Sequence, residues 1–90
     1  MYKIVFTSRF ERTFKKLDKK TQRLLLEAIE QLAQDPFNQP HIRKIIGIKQ
    51  NGFRLRVGRW RILYILLTKE EVLEVIDLFM RKEQGDYRRM

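Results

Sequence analysis

The feature that most constrains the fold of this chain is an alternating stretch that contains its own turn. Residues 53–57 (FRLRV) alternate apolar and basic side chains, and residues 60–67 (WRILYILL) follow after a glycine and an arginine. Alternation of this kind predicts two strands, and a two-residue loop that begins with Gly58 predicts a type II′ turn between them. The predicted register sets Arg56 directly opposite Arg61.

The predicted hairpin has two chemically different faces. Six apolar side chains on one face suit it to lie beneath helices, and they are Phe53, Leu55, Val57, Trp60, Ile62 and Tyr64. The other face carries Arg54, Arg56 and Arg61 within side-chain reach of one another. Like charges opposed across a strand pair destabilise it, so this face favours a polyanionic partner. Trp60 and Tyr64 are interpreted as core residues rather than as groups that stack on bases, since they lie on the apolar face.

Two helices are predicted in the first third of the chain. Ser8 is the predicted N-cap of a short helix, with Glu11 three residues later as in a capping box. Asp18 is able to cap a longer helix over residues 19–34, which ends before Pro36 because the residue before a proline avoids helical geometry. The longer helix has an apolar face made of Leu25, Ile29 and Leu32, widened by Leu24 and Ala28.

Strands are predicted on both sides of these helices. Residues 2–6 alternate and form a short strand, and residues 71–79 form the strand that follows the hairpin. The resulting order is β-α-α-β-β-β, an α+β fold with two N-terminal helices packed on one face of a small, mostly antiparallel sheet. Ninety residues are too few to divide between two cores, so residues 1–90 are predicted to form a single domain.

The basic charge is concentrated in one part of the chain. Lys and Arg number 20 against 11 Asp and Glu, for a net charge of +9. No acidic residue lies between Pro36 and Lys69, while eight basic residues lie there: Arg43, Lys44, Lys49, Arg54, Arg56, Arg59, Arg61 and Lys69. Such an imbalance favours phosphate backbones, anionic surfaces or an acidic protein as partners, and it implies no small-molecule ligand.

Several classes of protein are excluded by what the sequence lacks. The chain has no cysteine, which excludes disulfides and thiolate ligation and fits a reducing compartment. It has one histidine, His41, so we expect no metal and no other cofactor. The N-terminus lacks the apolar run of a signal peptide, and the longest apolar run is far shorter than the roughly 20 residues of a membrane span. We therefore expect a soluble, cytoplasmic protein without a membrane partner.

The block from Gly52 to Tyr64 (GFRLRVGRWRILY) resembles the RelE/ParE superfamily of toxins from toxin–antitoxin systems. The Asp-Pro after the second helix and the Lys-Ile-Ile-Gly turn that ends at Gly47 fit the same pattern, and the similarity covers essentially the whole chain. In this superfamily, RelE-type members are endoribonucleases that cut mRNA in the ribosomal A site without a metal. ParE-type members share the fold but inhibit DNA gyrase.

The tail of the chain favours the RelE branch of the resemblance. RelE-like toxins carry a basic residue at the end of the last strand and a tyrosine shortly after it, as Arg81 and Tyr87 do here. The resemblance implies a catalytic set of Arg54, Arg56, Arg61, Arg81 and Tyr87. We expect additional RNA contacts from Arg43, Lys44, Lys49 and Arg59. The expected partners are the ribosome, its mRNA and an acidic cognate antitoxin.

The sequence leaves the proton acceptor and the target open. Several RelE-like enzymes have lysines where this chain has Arg54 and Arg56, and arginine stays charged, so the role of both residues is expected to be electrostatic. Tyr87 is either an acidified phenol that acts as the base or a ring that stacks on a nucleobase, with Glu83 and Asp86 as other proton acceptors. The alternative function is that of a ParE-like gyrase inhibitor without nuclease activity, and a plain RNA-binding module is a third reading.

Overall fold

The computed structural model of the protein describes residues 1–45 and 52–81, which form two helices and five strands. In chain order the elements are β1 (Lys3–Phe6), α1 (Ser8–Lys15), α2 (Lys19–Gln34), β2 (Ile42–Lys44), β3 (Gly52–Val57), β4 (Trp60–Leu67) and β5 (Val72–Met80). The predicted α+β class is confirmed. Within the described residues, no helix is both long and apolar enough to cross a membrane.

The five strands form one sheet in the order β1-β5-β4-β3-β2. β1 pairs in parallel with β5, and the other three strand pairs are antiparallel. The sequence did not predict β2, because a strand of three residues is too short to show a period of two. The two helices connect β1 to the far edge of the sheet, which places the N-terminal and C-terminal strands side by side.

The core lies between the two helices and one face of the sheet. The sheet contributes Leu55, Ile62, Tyr64, Leu66, Leu73, Val75 and Leu78, and the helices contribute Phe10, Leu25, Ile29, Leu32 and Ala33. The prediction that Leu24 widens the apolar face of α2 was wrong, because this side chain is 50% exposed. Ala33 is buried instead, where α2 ends against β1 and the Tyr2 amide donates to the Ala33 carbonyl at 2.9 Å.

The helices are capped by side chains at the expected corners. Asp18 caps α2 as predicted, since its Oδ1 accepts a hydrogen bond from the Thr21 amide at 3.0 Å. The N-cap of α1 is Thr7 rather than Ser8, and its Oγ1 accepts from the Phe10 amide at 3.2 Å. Thr7 is favoured because its hydroxyl also donates to the Ile76 carbonyl at 2.7 Å, which ties the start of α1 to β5.

The β3–β4 hairpin has the predicted register, with Arg56 opposite Arg61. A type II′ turn requires a positive φ at its first central residue and a negative φ at its second. Gly58 has φ 61°, and Arg59 is not among the described residues with positive φ, so the turn is of this type. Tyr64 is 1% exposed and stacks on Phe53 with ring centroids 5.5 Å apart, so its predicted core role is confirmed. Burial raises the pKa of the Tyr64 phenol.

Candidate functional site

Two cross-strand rows of residues build a basic surface on the side of the sheet away from the core. In one row Arg43 of β2 is opposite Arg54 of β3, and in the other Arg56 of β3 is opposite Arg61 of β4. Directly opposed residues share a face of the sheet, and so do residues two apart on one strand. The four arginines therefore lie on one face.

Arg81 joins this surface from the end of β5. Its amide donates to the carbonyl of Arg59 at 2.6 Å, which holds the residue after β5 against the β3–β4 turn. The charge of Arg81 acts on Arg61 together with the charges of Arg54 and Arg56. Arg43, Arg54, Arg56, Arg61 and Arg81 are called the arginine face below.

Arg61 is the buried member of the arginine face. It is 6% exposed, and its Nη1 donates to the carbonyls of Gly58 and Trp60, each at 3.0 Å. Burial lowers the pKa of the Arg61 guanidinium, and the neighbouring charges of Arg54, Arg56 and Arg81 lower it further. Arginine nevertheless stays protonated at neutral pH. Arg61 is therefore a fixed positive charge beneath the surface.

The remaining arginines are more accessible. Arg43, Arg56 and Arg81 are exposed and Arg54 is half-buried. Guanidinium groups bind phosphate oxygens through paired, charge-assisted hydrogen bonds. The arrangement is suited to an anion that contacts the exposed guanidinium groups and is further attracted by the charge of Arg61.

The other residues predicted to bind RNA lie in different places. Arg59 is exposed in the hairpin turn, next to Arg81. Lys44 is opposite Phe53, and this register places it on the core-bearing side of the sheet rather than with the arginine face. Lys49 and Tyr87 lie outside the described residues, as do the alternative proton acceptors Glu83 and Asp86.

His41 is a residue of this surface that the sequence did not assign to it. Its carbonyl accepts a hydrogen bond from the Arg56 amide at 3.0 Å, and its Nδ1 lies 2.6 Å from Nη2 of the Arg56 guanidinium. The pairing of Ile42 with Leu55 explains the contact, since one further step along the ladder sets His41 opposite Arg56. Without β2 in the predicted fold, no sequence signal connected the two residues.

A second basic cluster lies on α1, apart from the arginine face. Arg9, Arg12, Thr13 and Lys16 line an open depression there. Nε of Arg9 lies 3.4 Å from Oδ2 of Asp77, and the Arg9 side chain is 72% exposed. Ion pairs as exposed as this one contribute little to stability.

The described part of the chain holds no cluster of three or more His, Cys, Asp or Glu residues that could bind a metal ion. The arginine face offers positive charge and hydrogen-bond donors, which stabilise negative charge that develops on a phosphate. Arginine cannot accept a proton. Of the groups seen on this surface, the imidazole of His41 is the one suited to proton transfer near neutral pH.

The fold and the arginine face define a small basic α+β protein with a positively charged sheet surface. The sequence model described as the ParE toxin of the type II toxin–antitoxin system parDE matches residues 4–85. The chain belongs to this family, within the RelE/ParE superfamily, and is a toxin of the type II class. A comparison with curated protein sequences finds no significant match.

Solved structures of RelE toxins share the fold. The archaeal RelE–RelB complex from Pyrococcus horikoshii OT3 is 23% identical, with a TM-score of 0.77 over 89% of this chain and 94% of that one. The isolated E. coli RelE toxin is 15% identical, with a TM-score of 0.75 over 100% of both chains. The RelBE2 complex from Mycobacterium tuberculosis is 21% identical, with a TM-score of 0.75 over 89% of this chain and 98% of that one. The TM-scores establish a common fold, and at identities below 25% the comparison shows the fold alone.

Proposed function

We propose that this toxin is a ribosome-dependent endoribonuclease that cleaves mRNA without a metal ion. The observation that carries the proposal is the convergence of guanidinium groups, since the register sets Arg54, Arg56 and Arg61 on one face of the sheet and the Arg81 amide bonds to the carbonyl of Arg59 beside them. Such a concentration of positive charge is unfavourable for the folded chain alone. It becomes favourable when a phosphate of the substrate occupies the surface.

The chemistry proposed is attack by the 2′-hydroxyl of one nucleotide on the phosphorus that joins it to the next. Negative charge grows on the phosphate oxygens as the O2′–P bond forms and the P–O5′ bond breaks. Preorganised cations aimed at that charge lower the barrier. In this proposal the exposed Arg56 and Arg81 contact the phosphate, Arg54 flanks them, and Arg61 adds a fixed charge beneath.

The other roles rest on the resemblance to RelE-type toxins. Tyr87 is proposed to contact the substrate, either as a proton acceptor or by stacking on a base. Arg43, Lys49 and Arg59 are proposed to bind RNA phosphates around the cleavage point. Lys44 is left out of this proposal, because its register with Phe53 places it on the other side of the sheet. Phosphate contacts of this kind position a nucleic acid without reading its sequence.

An acidic antitoxin is the proposed cognate partner. The net charge of +9 and the exposed arginine face favour an acidic protein. RelE toxins of the same fold have been crystallised in complex with RelB antitoxins, including those from E. coli and Methanococcus jannaschii. An antitoxin that lays carboxylates over the arginine face would block access of RNA to it.

The deciding experiment is single-turnover cleavage of mRNA on programmed ribosomes, with and without EDTA. Wild-type toxin is expected to cut the mRNA in both conditions. Arg56→Gln should slow cleavage by about 10²–10³-fold, the usual cost of removing one group that stabilises transition-state charge. Arg23→Gln is the matched control, because it removes the same charge from the exposed side of α2. Absence of cleavage by the wild-type toxin would overturn the proposal.

The second candidate function is inhibition of DNA gyrase. The observation that favours it is the match of residues 4–85 to the ParE toxin family. A supercoiling assay with purified gyrase separates the two functions, since only a gyrase inhibitor reduces supercoiling or traps cleaved plasmid. A toxin that does this and leaves ribosome-bound mRNA intact is a ParE-type poison.

A further inference from the structure

His41 is bound to Arg56 through both its backbone and its side chain. The carbonyl accepts the Arg56 amide at 3.0 Å, while Nδ1 contacts Nη2 of the guanidinium at 2.6 Å. The backbone of His41 has φ 67°, a left-handed conformation that is uncommon outside glycine. Residues held in such conformations cluster at functional sites. The side chain is exposed, so a substrate on the arginine face can reach it.

The contact with Arg56 assigns a role to one nitrogen of the imidazole. A guanidinium group only donates hydrogen bonds, so Nδ1 of His41 is the acceptor in a hydrogen bond with it. The lone pair of Nδ1 points toward the guanidinium that is proposed to bind the scissile phosphate.

We propose that His41 is the proton acceptor of RNA cleavage, an inference that rests on the proposed endoribonuclease function. When a phosphate binds Arg56 it competes for Nη2, and the lone pair of Nδ1 becomes available. The attacking 2′-oxygen lies about 3–3.5 Å from phosphorus in a reactive geometry, which keeps it close to the group that binds the phosphate.

The proposed step balances as follows. The 2′-hydroxyl proton moves to Nδ1 of His41, giving an imidazolium with protons on both nitrogens. The O2′–P bond forms and the P–O5′ bond breaks, which leaves a 2′,3′-cyclic phosphate and a 5′-oxygen that takes a proton from water. The imidazolium then returns its proton to the hydroxide produced. No metal, oxidant or other reactant is needed.

The charged groups on the side of the sheet that bears Arg56 come from four strands. Arg43 is on β2, Arg54 and Arg56 are on β3, and Arg61 is on β4, whereas Lys44 lies on the other side. On β5 the register sets Asp77 opposite Leu63 and thus on the same side of the sheet as Arg54, while Arg81 follows the strand. A general base must be neutral to act, so a histidine base predicts a cleavage rate that rises with pH between about 5 and 8.

The test compares His41→Gln and His41→Asn with the wild-type toxin on programmed ribosomes. Glutamine can still accept a hydrogen bond from Arg56 but cannot take a proton. Asparagine does the same and tolerates the left-handed backbone of this position. Both variants should lower the single-turnover rate about 10²-fold or more, and both should lose the rise of rate with pH. Ribosomes that carry mRNA with a 2′-deoxynucleotide at the cleavage point bind toxin without cleavage, because the attacking hydroxyl is missing. The Kd of both variants for these ribosomes should stay within about threefold of the wild-type value. Arg23→Gln again serves as the control.

The outcomes separate this inference from the function on which it rests. A wild-type toxin that cleaves, together with a slow His41→Gln variant that binds normally, supports the inference. Near-wild-type cleavage by His41→Gln or His41→Asn overturns it and leaves the proposed function intact, because the residue would then only position Arg56. Failure of the wild-type toxin to cleave overturns the proposed function and with it the inference.

Discussion

Arg56 and Arg61 are paired directly across the β3–β4 hairpin, although both side chains are positively charged. Arg56 is exposed, whereas Arg61 is 6% exposed and donates to the carbonyls of Gly58 and Trp60. Like charges at opposed positions cost up to about 1 kcal/mol, and hydrogen bonds from a charged donor contribute about 1.5–3 kcal/mol each. The hydrogen bonds made by Arg61 therefore outweigh its repulsion from Arg56.

The two arginines should respond differently to truncation. Arg61→Ala loses two hydrogen bonds and the packing of a buried side chain, so it should lower stability by at least about 2 kcal/mol, which corresponds to a fall in Tm of at least about 8–16 °C. Arg56→Ala removes an exposed charge and relieves repulsion, so its Tm should stay within about 3 °C of wild type. Thermal unfolding followed by circular dichroism measures both. Equal Tm values for the two variants would contradict the anchoring role of Arg61.

Sequence alone predicted the parts of the fold in which a local pattern and a local cap agree. α2 has the predicted bounds, Lys19–Gln34, because Asp18 precedes it, a proline follows it and its apolar spacing is regular. β2 and the parallel pairing of β1 with β5 were not predicted, because both depend on contacts between segments distant in the chain. The N-cap of α1 shifted to Thr7 for the same reason, since its hydroxyl also bonds to β5.

The stability of Gly58 variants should depend on how well the new residue adopts the backbone conformation of the turn, and not on the size of its side chain. Its φ is 61°, and a β-carbon at this position would meet no atom within 4 Å. Gly58→Ala should therefore destabilise the toxin by about 1 kcal/mol from backbone strain alone. Gly58→Asn should cost less, because asparagine is one of the residues that type II′ turns accept. Urea unfolding of the three proteins measures this order, and an alanine variant as stable as wild type would show that the turn changes conformation.

Asp18 should stabilise the fold at neutral pH and lose this contribution in acid. Its hydrogen bond from Thr21 lowers the pKa of the Asp18 carboxyl in the folded chain. A group whose pKa is lower when folded stabilises the fold above its unfolded pKa of about 3.9, and this stability is lost as pH falls through the folded-state value. Asp18→Asn keeps a capping oxygen but has no charge.

The measurement is the difference in unfolding free energy between wild type and Asp18→Asn at several pH values. The wild-type advantage should be constant from neutral pH down to about pH 5 and should disappear below the folded-state pKa. Glu30→Gln, on the exposed side of α2, controls for the loss of one negative charge. A wild-type advantage that persists at the lowest pH would show that geometry, not charge, makes aspartate the better cap.

The candidate site was predictable only where the hairpin register determined it. Arg54, Arg56 and Arg61 share a face because alternation and the turn at Gly58 set the register. The register could not indicate that Arg61 is buried, since burial depends on the turn carbonyls folding around its guanidinium. His41 was missed because its contact with Arg56 spans 15 residues and requires β2.

Salt should change the association rate of the antitoxin more than its dissociation rate. The toxin carries a net charge of +9, and the long-range field of such a charge speeds encounter with an acidic partner. Salt screens this field, with a Debye length of about 30 Å at 0.01 M and about 10 Å at 0.1 M. Arginine–carboxylate pairs that are desolvated in the complex are screened much less, and they mainly slow dissociation.

Stopped-flow association of the toxin with its cognate antitoxin at low and high ionic strength makes the comparison directly. The association rate should fall severalfold as salt rises, while the complex remains tight. Arg56→Gln should raise the dissociation rate more than Arg23→Gln does, because both remove one charge from the long-range field but only Arg56 belongs to the exposed arginine face. An association rate that is insensitive to salt, or a cognate partner that is neutral or basic, would contradict the electrostatic account. Equal dissociation rates for the two variants would place the antitoxin away from the arginine face.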